Sequence, residues 1–402
     1  MELIEDKYEI TNIELGEGGF AKVYLGINKL TGEKVAIKKV FLNQKKTPKN
    51  ELLNKLSTEI QIMQQLDHPN IVKLYDVYKT DDYWYIIMEY CDAGTLARVI
   101  EYNESSSKTD LYFNREQNTY YYLNQLINAL EYIINLGYIH RDIKPMNVLL
   151  VSSKESTWDG KCYNFSQKLI VKLGDFGLAR EFSKCENELM KSICGSPAYM
   201  APEILLDPNS GYDSKIDIWS FGIIMYQLLF GKHPNKAQNI NHLKELLEHK
   251  RIEFNYNKNF SSHCYDLLKS LLAKNNENRI DWINLFEHQW FKYWNNYENN
   301  YNILIHNANQ IKLEESISFP EVKDINGSNL TKINTYKKTE AMLIPINNRQ
   351  RKNKDNIDDY CNPGLYFGRN SVENPKKNIF ISPENIFPLN LSKFIRDDYI
   401  DR

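Results

Sequence analysis

The run Tyr138-Ile139-His140-Arg141-Asp142-Ile143-Lys144-Pro145-Met146-Asn147-Val148-Leu149-Leu150 decides how this chain is read. It gathers His140, Arg141, Asp142, Lys144 and Asn147 ahead of an apolar stretch. Downstream, Asp175-Phe176-Gly177 follows the apolar Leu169-Ile170-Val171. Upstream, Leu15-Gly16-Glu17-Gly18-Gly19-Phe20-Ala21-Lys22-Val23 lies between two strand-like runs. Glycines let a backbone approach phosphates closely because no Cβ intervenes, although such a loop alone reads equally well as a hairpin turn. Val35-Ala36-Ile37-Lys38 ends an apolar strand run on a lysine, which either snorkels to water or meets an anion. Glu59 sits on a helical stretch before His68-Pro69-Asn70, where a carboxylate is ordinarily just solvated.

Taken in order, these runs leave little room for coincidence. The first resembles the catalytic loop H-R-D-x-K-P-x-N of the protein kinase superfamily, and the resemblance covers roughly residues 8 to 291. It implies an α+β, bilobal kinase fold with a strand-rich N-lobe (about 8–89), a helical C-lobe (about 92–291) and a C-terminal extension (292–402). It implies ATP as phosphoryl donor with magnesium, or manganese in its place, and proteins with Ser or Thr acceptors as substrates. Asp142 would orient the acceptor hydroxyl and accept its proton, and Lys144 would neutralise charge on the transferred group. Asn147 and Asp175 would hold metal through hard oxygen ligands. Lys38, paired with Glu59, would position the α- and β-phosphates. Residues Leu15 to Val23 would cover the phosphates, with Ala21 standing where the usual loop has its third glycine. Val23, Ala36 and Leu149 would sandwich the adenine, Met88 would gate the pocket behind it, and Glu89 and Cys91 would offer backbone hydrogen bonds to the base. Cys194-Gly195-Ser196-Pro197-Ala198-Tyr199-Met200-Ala201-Pro202-Glu203 resembles the substrate-docking end of an activation segment. Glu203 would pair with Arg279, and Asp217 would anchor the catalytic loop. Lys144 and Gly195-Ser196 mark the Ser/Thr class rather than the Tyr class.

The chain as a whole fits this reading. Its 402 residues suit two or three packed units. With 50 basic against 52 acidic residues, no global charge points to nucleic acid or anionic membrane. The N-terminus is acidic and lacks a secretory pattern. The apolar run Ile218 to Phe230 falls short of the roughly 20 residues that span a bilayer and reads as a buried helix. Six scattered cysteines form no C-x-x-C pair, so neither a disulfide framework nor a zinc site is indicated. The expected location is cytoplasmic (a host's cytoplasm if the source is viral), with nuclear entry left open. Strand alternation in K-V-Y-L-G-I and K-V-A-I-K-K-V brackets a turn at Thr31-Gly32. Helical periodicity is expected over Asn54 to Leu66, Tyr120 to Leu136, Ile240 to His249 and Cys264 to Leu272. Asn103 to Asp110 and Ser152 to Gln167 read as solvated insertions.

Within the superfamily, C-G-S-P-A-Y-M-A-P-E-I-L and V-K-L-G-D-F-G-L-A-R are similar to the autophagy-initiating Ser/Thr kinases, whose regulatory C-terminal region the tail does not match. Met146 takes the slot where kinases preferring basic substrates often carry Glu, which implies weak selection for Arg. Arg141 beside Asp142 suggests activation by phosphorylation, with Ser192 as candidate target of an upstream kinase or of autophosphorylation. Two competing readings are a pseudokinase scaffold, which loss of Lys38, Asp142 or Asp175 would favour, and a partner-binding tail that carries the kinase as passenger.

Overall fold

The computed structural model describes residues 2–18, 21–42, 49–105, 112–152, 169–182 and 195–299, with breaks at 208, 210, 255, 258 and 298. Its contacts divide the chain into Met1–Ile305 and His306–Arg402, and every described residue belongs to the first unit.

Strands β1 (Glu2–Ile4), β2 (Tyr8–Glu17), β3 (Ala21–Asn28) and β4 (Lys34–Phe41) precede helix α1 (Lys49–Gln65), and β5 (Leu74–Lys79) and β6 (Tyr83–Glu89) follow it. The strands form one antiparallel sheet in the order β1-β2-β3-β4-β6-β5. The expected turn between β3 and β4 is present, with Gly32 at φ +75°. Strand alternation sorts β4 into two faces. Val35 and Ile37 pack with Ile4, Tyr8, Ile10, Tyr85 and Ile87 on one side. Val40 packs on the other with Leu52, Leu56 and Ile60 of α1. Lys38 shares Val40's parity and therefore points to α1, so the sheet register delivers it to that helix.

Strand β1 was not expected; the sheet begins before Tyr8. Glu2 holds it down, with its carboxylate 2.5 Å from Lys39 Nζ and accepting from the Tyr85 hydroxyl. Helix α1 also starts earlier than Asn54, because its buried stripe begins at Leu52 and ends at Met63, while Leu66 lies past the helix.

The remaining elements are α2 (Leu96–Ser105), α3 (Tyr112–Asn135), β7 (Tyr138–Ile139), β8 (Val148–Val151), β9 (Ile170–Leu173), β10 (Arg180–Glu181), α4 (Pro202–Leu206), α5 (Lys215–Phe230), α6 (Ile240–His249), α7 (Ser262–Leu271) and α8 (Trp282–Phe286). Their core centres on α5, where Ile218, Phe221, Ile223, Ile224, Met225 and Leu229 are fully buried. An apolar surface on every side is what a central helix requires. Helix α6 matches its expected limits, and Asn239 caps it by accepting from the His242 amide at 2.9 Å.

Helix α3 begins eight residues before Tyr120. Its first turns are buried by polar residues. Arg115 donates to the carbonyls of Asn103 (2.5 Å) and Leu229 (3.3 Å). Glu116 accepts from the Ser261 amide and hydroxyl (2.7 and 2.6 Å) and from the indoles of Trp290 and Trp294 (2.9 and 3.2 Å). Asn103 is itself buried at the end of α2, so the segment from Asn103 is not wholly a solvated insertion. Residues 106–111 and 153–168, and all but the start of the 292–402 extension, lie outside the described residues.

Candidate active site

The loop after β7 is fixed from below. Strand β7 pairs with β10, and Ile143 is fully buried. Asp217, in the first turn of α5, accepts the amides of His140 (2.7 Å) and Arg141 (2.9 Å). Burial pushes the Asp217 carboxyl above its usual range, against the opposing pull of those amides and of the charges of His140 and Arg141. The anchor expected of Asp217 is thus present. Arg141 adopts φ +66°, which non-glycine residues seldom take. Arg141 Nε donates to Leu178 O (2.7 Å) and Nη1 to the Tyr212 hydroxyl (3.2 Å). The expected Glu203–Arg279 pair is bidentate, at 2.7 and 2.9 Å, with Arg279 buried.

Asp142 sits at the centre of this loop, buried to 8% exposure. Its Oδ2 accepts from Lys144 Nζ (2.7 Å) and Asn147 Nδ2 (3.1 Å), and Nδ2 also donates to Asp142 O (2.8 Å). Its Oδ1 accepts from Ser196, by amide and hydroxyl alike, at 3.0 Å each. Lys144 Nζ also donates to Ser196 Oγ (2.8 Å). In the sequence Ser196 stands only as a class mark, and this closure is not legible there. Its one available signal was the glycine before it. Gly195 has φ +104°, and a Cβ there would lie 2.7 Å from Arg141 O.

A second group gathers above the first. Lys38 Nζ lies 2.5 Å from Glu59 Oε1, and Glu59 is buried. Burial alone would lower the Lys38 pKa, but the carboxylates of Glu59 and Asp175 raise it above its usual value. Asp175 is held below the usual carboxylate range: desolvation pushes up, while the charges of Lys38, His140 and Lys144 and the Gly177 amide prevail. Asp175 also has a left-handed backbone, φ +60°. Phe176 is fully buried with its ring edge-on to His140 (centroids 5.0 Å apart), and His140 Nε2 meets Gly174 O at 3.1 Å. The Gly174 amide donates to Asn147 O (2.9 Å), tying the Asp175 segment to the catalytic loop. The donor chemistry suits a magnesium ion: Asp175 supplies carboxylate oxygens, and anchoring Asn147 through Nδ2 leaves its amide oxygen for a cation.

The residues read as nucleotide-binding come from several elements around the sheet. Leu15, Gly16 and Glu17 end β2, and Ala21, Lys22 and Val23 begin β3. The Gly18 amide donates to Ala21 O (2.8 Å), closing the hairpin between them. Ala21 pairs with Val40, so the residue in the third-glycine position is already a strand residue. Gly19 and Phe20 lie outside the described residues, as does Ser192. The pairs Val23–Lys38 and Ala36–Met88 put all four residues on one face of the sheet. Leu149, in β8, is bridged to Thr95. The Glu89 amide is already committed to Lys73 O (2.9 Å), leaving its carbonyl for a base, and its side chain turns to Lys172 (2.8 Å). Cys91 is half-buried, and burial pushes its thiol up to about 12.

Comparison with known proteins agrees with this geometry. The protein kinase domain family matches residues 9–291. The chain belongs to the protein kinase family. Its kinase domain is 51% identical over 297 residues to a protein of Acanthamoeba polyphaga mimivirus provisionally named a serine/threonine-protein kinase, covering 73% of this chain and 65% of that one. It is 36% identical over 290 residues to serine/threonine-protein kinase atg1 of Dictyostelium discoideum (71% and 40% covered). It is also 36% identical over 293 residues to calcium-dependent protein kinase 5 of Plasmodium falciparum (72% and 46% covered). The chain thus spans between two fifths and two thirds of the length of these kinases. Among the described residues no helix is long and apolar enough to cross a membrane.

Proposed function

We propose that this chain transfers the γ-phosphoryl group of ATP to Ser or Thr hydroxyls of proteins, with Asp142 as base. The observation that carries this reading is the Asp142 network, in which Lys144, Asn147 and Ser196 surround a buried carboxylate, while Asp175 feels the charges of both Lys144 and Lys38. Asp142 orients the incoming hydroxyl and takes its proton as the oxygen bonds to the γ-phosphorus and the bond to the β–γ bridging oxygen breaks. Lys144 offsets charge on the moving group, and Lys38, held by Glu59, meets the α- and β-phosphates. Magnesium, carried by Asp175 and Asn147, supplies charge neutralisation when bound. Such a reaction asks the protein for position and electrostatics, which preorganised charges supply.

Likeness to atg1 and to a calcium-dependent kinase stands at the same identity, so it supports a catalytic class rather than a pathway. Phosphorylation of Ser192, by another kinase or by the chain itself, is the proposed switch, and full activity of Ser192→Ala would count against it.

Transfer from radiolabelled ATP to a generic protein substrate tests the reading. Label on Ser and Thr that Asp142→Ala abolishes supports it. No transfer by folded wild type with magnesium, with manganese, or with a phosphomimetic at Ser192 overturns it.

A further inference from the structure

The turn after α5 reaches Pro197–Tyr199 through the side chain of His233. His233 Nε2 lies 2.9 Å from Ala198 O, and its ring stands edge-on to Tyr199, centroids 5.8 Å apart at 89°. A carbonyl oxygen only accepts, so Nε2 carries the proton. Nδ1 meets both backbone groups of Asn235, its carbonyl oxygen at 2.8 Å and its amide at 3.1 Å, which fixes the ring from its other side. Burial lowers the His233 pKa, while the carbonyls of Asn235 and Ala198 pull the other way.

What His233 holds is the stretch directly after Ser196. Pro197–Tyr199 forms a 3-10 turn in which each carbonyl is engaged. Pro197 O accepts the Met200 amide (3.3 Å), Tyr199 O accepts the Ser220 hydroxyl (2.8 Å) and Ala198 O accepts from His233. With the backbone committed, Pro197 and Ala198 present small apolar side chains to solvent one step from the Asp142 network. A peptide whose hydroxyl reaches Asp142 must lay a neighbouring residue across this turn.

Resting on the kinase reading above, we propose that His233 is a positioning residue for the acceptor peptide, fixing Ala198 and Tyr199 as the platform for the residue beside the acceptor. It touches neither nucleotide nor reacting atoms. Its removal therefore weakens capture of the peptide while leaving ATP binding and the chemical step largely as they were.

The test is steady-state kinetics of the full chain, with a Ser-containing peptide and ATP varied in turn. His233→Ala is expected to raise the peptide KM about 5- to 10-fold, the scale of one lost hydrogen bond. The kcat should stay within about twofold and the ATP KM should not move. His233→Gln, whose amide nitrogen reaches the place of Nε2, restores the peptide KM to within about threefold, whereas His233→Asn, which mimics only Nδ1, does not. The assignment is overturned if Asn rescues as well as Gln, if kcat or the ATP KM moves along with the peptide KM, or if nothing changes. An inactive wild type overturns the kinase reading and this role with it; an active wild type with any of those three results overturns the role alone.

Discussion

Ser196 closes on one oxygen of Asp142 twice, through its amide and its hydroxyl, each 3.0 Å from Oδ1. The other oxygen is held by Lys144 and Asn147. A carboxylate has about four lone-pair sites, and here all four are in use. An acceptor hydroxyl must therefore displace a donor, and the neutral Ser196 hydroxyl is held less strongly than the charged Lys144. Because Lys144 also binds Ser196, the serine further sets where that ammonium rests.

Ser196→Ala should lower kcat by about 10-fold by freeing Lys144 and Asp142 to reorient. Ser196→Thr keeps the hydroxyl and should stay within about threefold. Peptide phosphorylation rates under saturating ATP check both, and equal losses in the two variants would assign the effect to the backbone alone.

Gly195 permits that closure, since φ +104° and the 2.7 Å approach to Arg141 O leave no room for a side chain. Gly195→Ala should cost about 1–3 kcal/mol of stability. It should also cost about 100-fold in kcat, because a misplacement of about 1 Å suffices for that. Gly32→Ala is the control. Gly32 also has positive φ (+75°), but open space surrounds it, so stability should fall by about 1 kcal/mol with kcat unchanged. Melting temperature and kcat, measured on both variants, separate strain from misalignment.

The Lys38–Glu59 pair carries a pH signature. Lys38 titrates above its usual 10.5, so its contribution to stability is complete below that value and is lost as pH rises through the raised one. Asp175 titrates below 3.8, so its contribution is present above that value and is lost as pH falls through the lowered one. Removing one partner of a buried pair costs about 3 kcal/mol. The melting-temperature gap between wild type and Lys38→Met should accordingly be flat from about pH 5.5 to 9. A gap that opens or closes within that window would contradict the assignment.

The parts of the fold and site legible in the sequence are those where chemistry dictates residue identity over a short run. The pairing of Lys38 with Glu59 is legible only through the resemblance of the motifs to the kinase family: taken singly, a lysine ending a strand and a glutamate on an amphipathic helix read as solvated. Arg115 and Glu116 carry no local sign of their burial: charged residues on a helix ordinarily face solvent, and only distant partners, Ser261 and Trp290 among them, make them interior residues. Strand β1 is three residues long, and its hold depends on Lys39 and Tyr85, far from it in sequence. Ser196 and His233 are of ordinary type in ordinary loops; what distinguishes them is position, which the chain sets only once folded.

Glu116 offers the sharpest check of that hidden packing. Its carboxylate receives four donors and is buried to 3% exposure. Glu116→Gln replaces one accepting oxygen by an NH2 that must face N–H and O–H donors. The loss should be about 2–3 kcal/mol, the cost of unmet buried donors. Thermal unfolding measures it, and a change under about 0.5 kcal/mol would mean that the site relaxes freely.

Met146 lies in the 3-10 turn Pro145–Asn147, between two buried residues, and is itself 44% exposed four positions after Asp142. It offers substrates a polarisable thioether rather than a carboxylate. An arginine in a bound peptide would find no counter-charge from this side chain, whereas an apolar residue could bury surface against it at about 25 cal/mol per Å². Wild type should therefore select weakly for Arg on the N-terminal side of the acceptor and tolerate apolar residues there. Met146→Glu should raise the preference for Arg by about 2- to 5-fold, the worth of a partly exposed ion pair near the surface. A peptide array read with both proteins decides the matter: an Arg-dominated wild-type profile, or a Met146→Glu profile indistinguishable from it, would remove Met146 from the determinants of specificity.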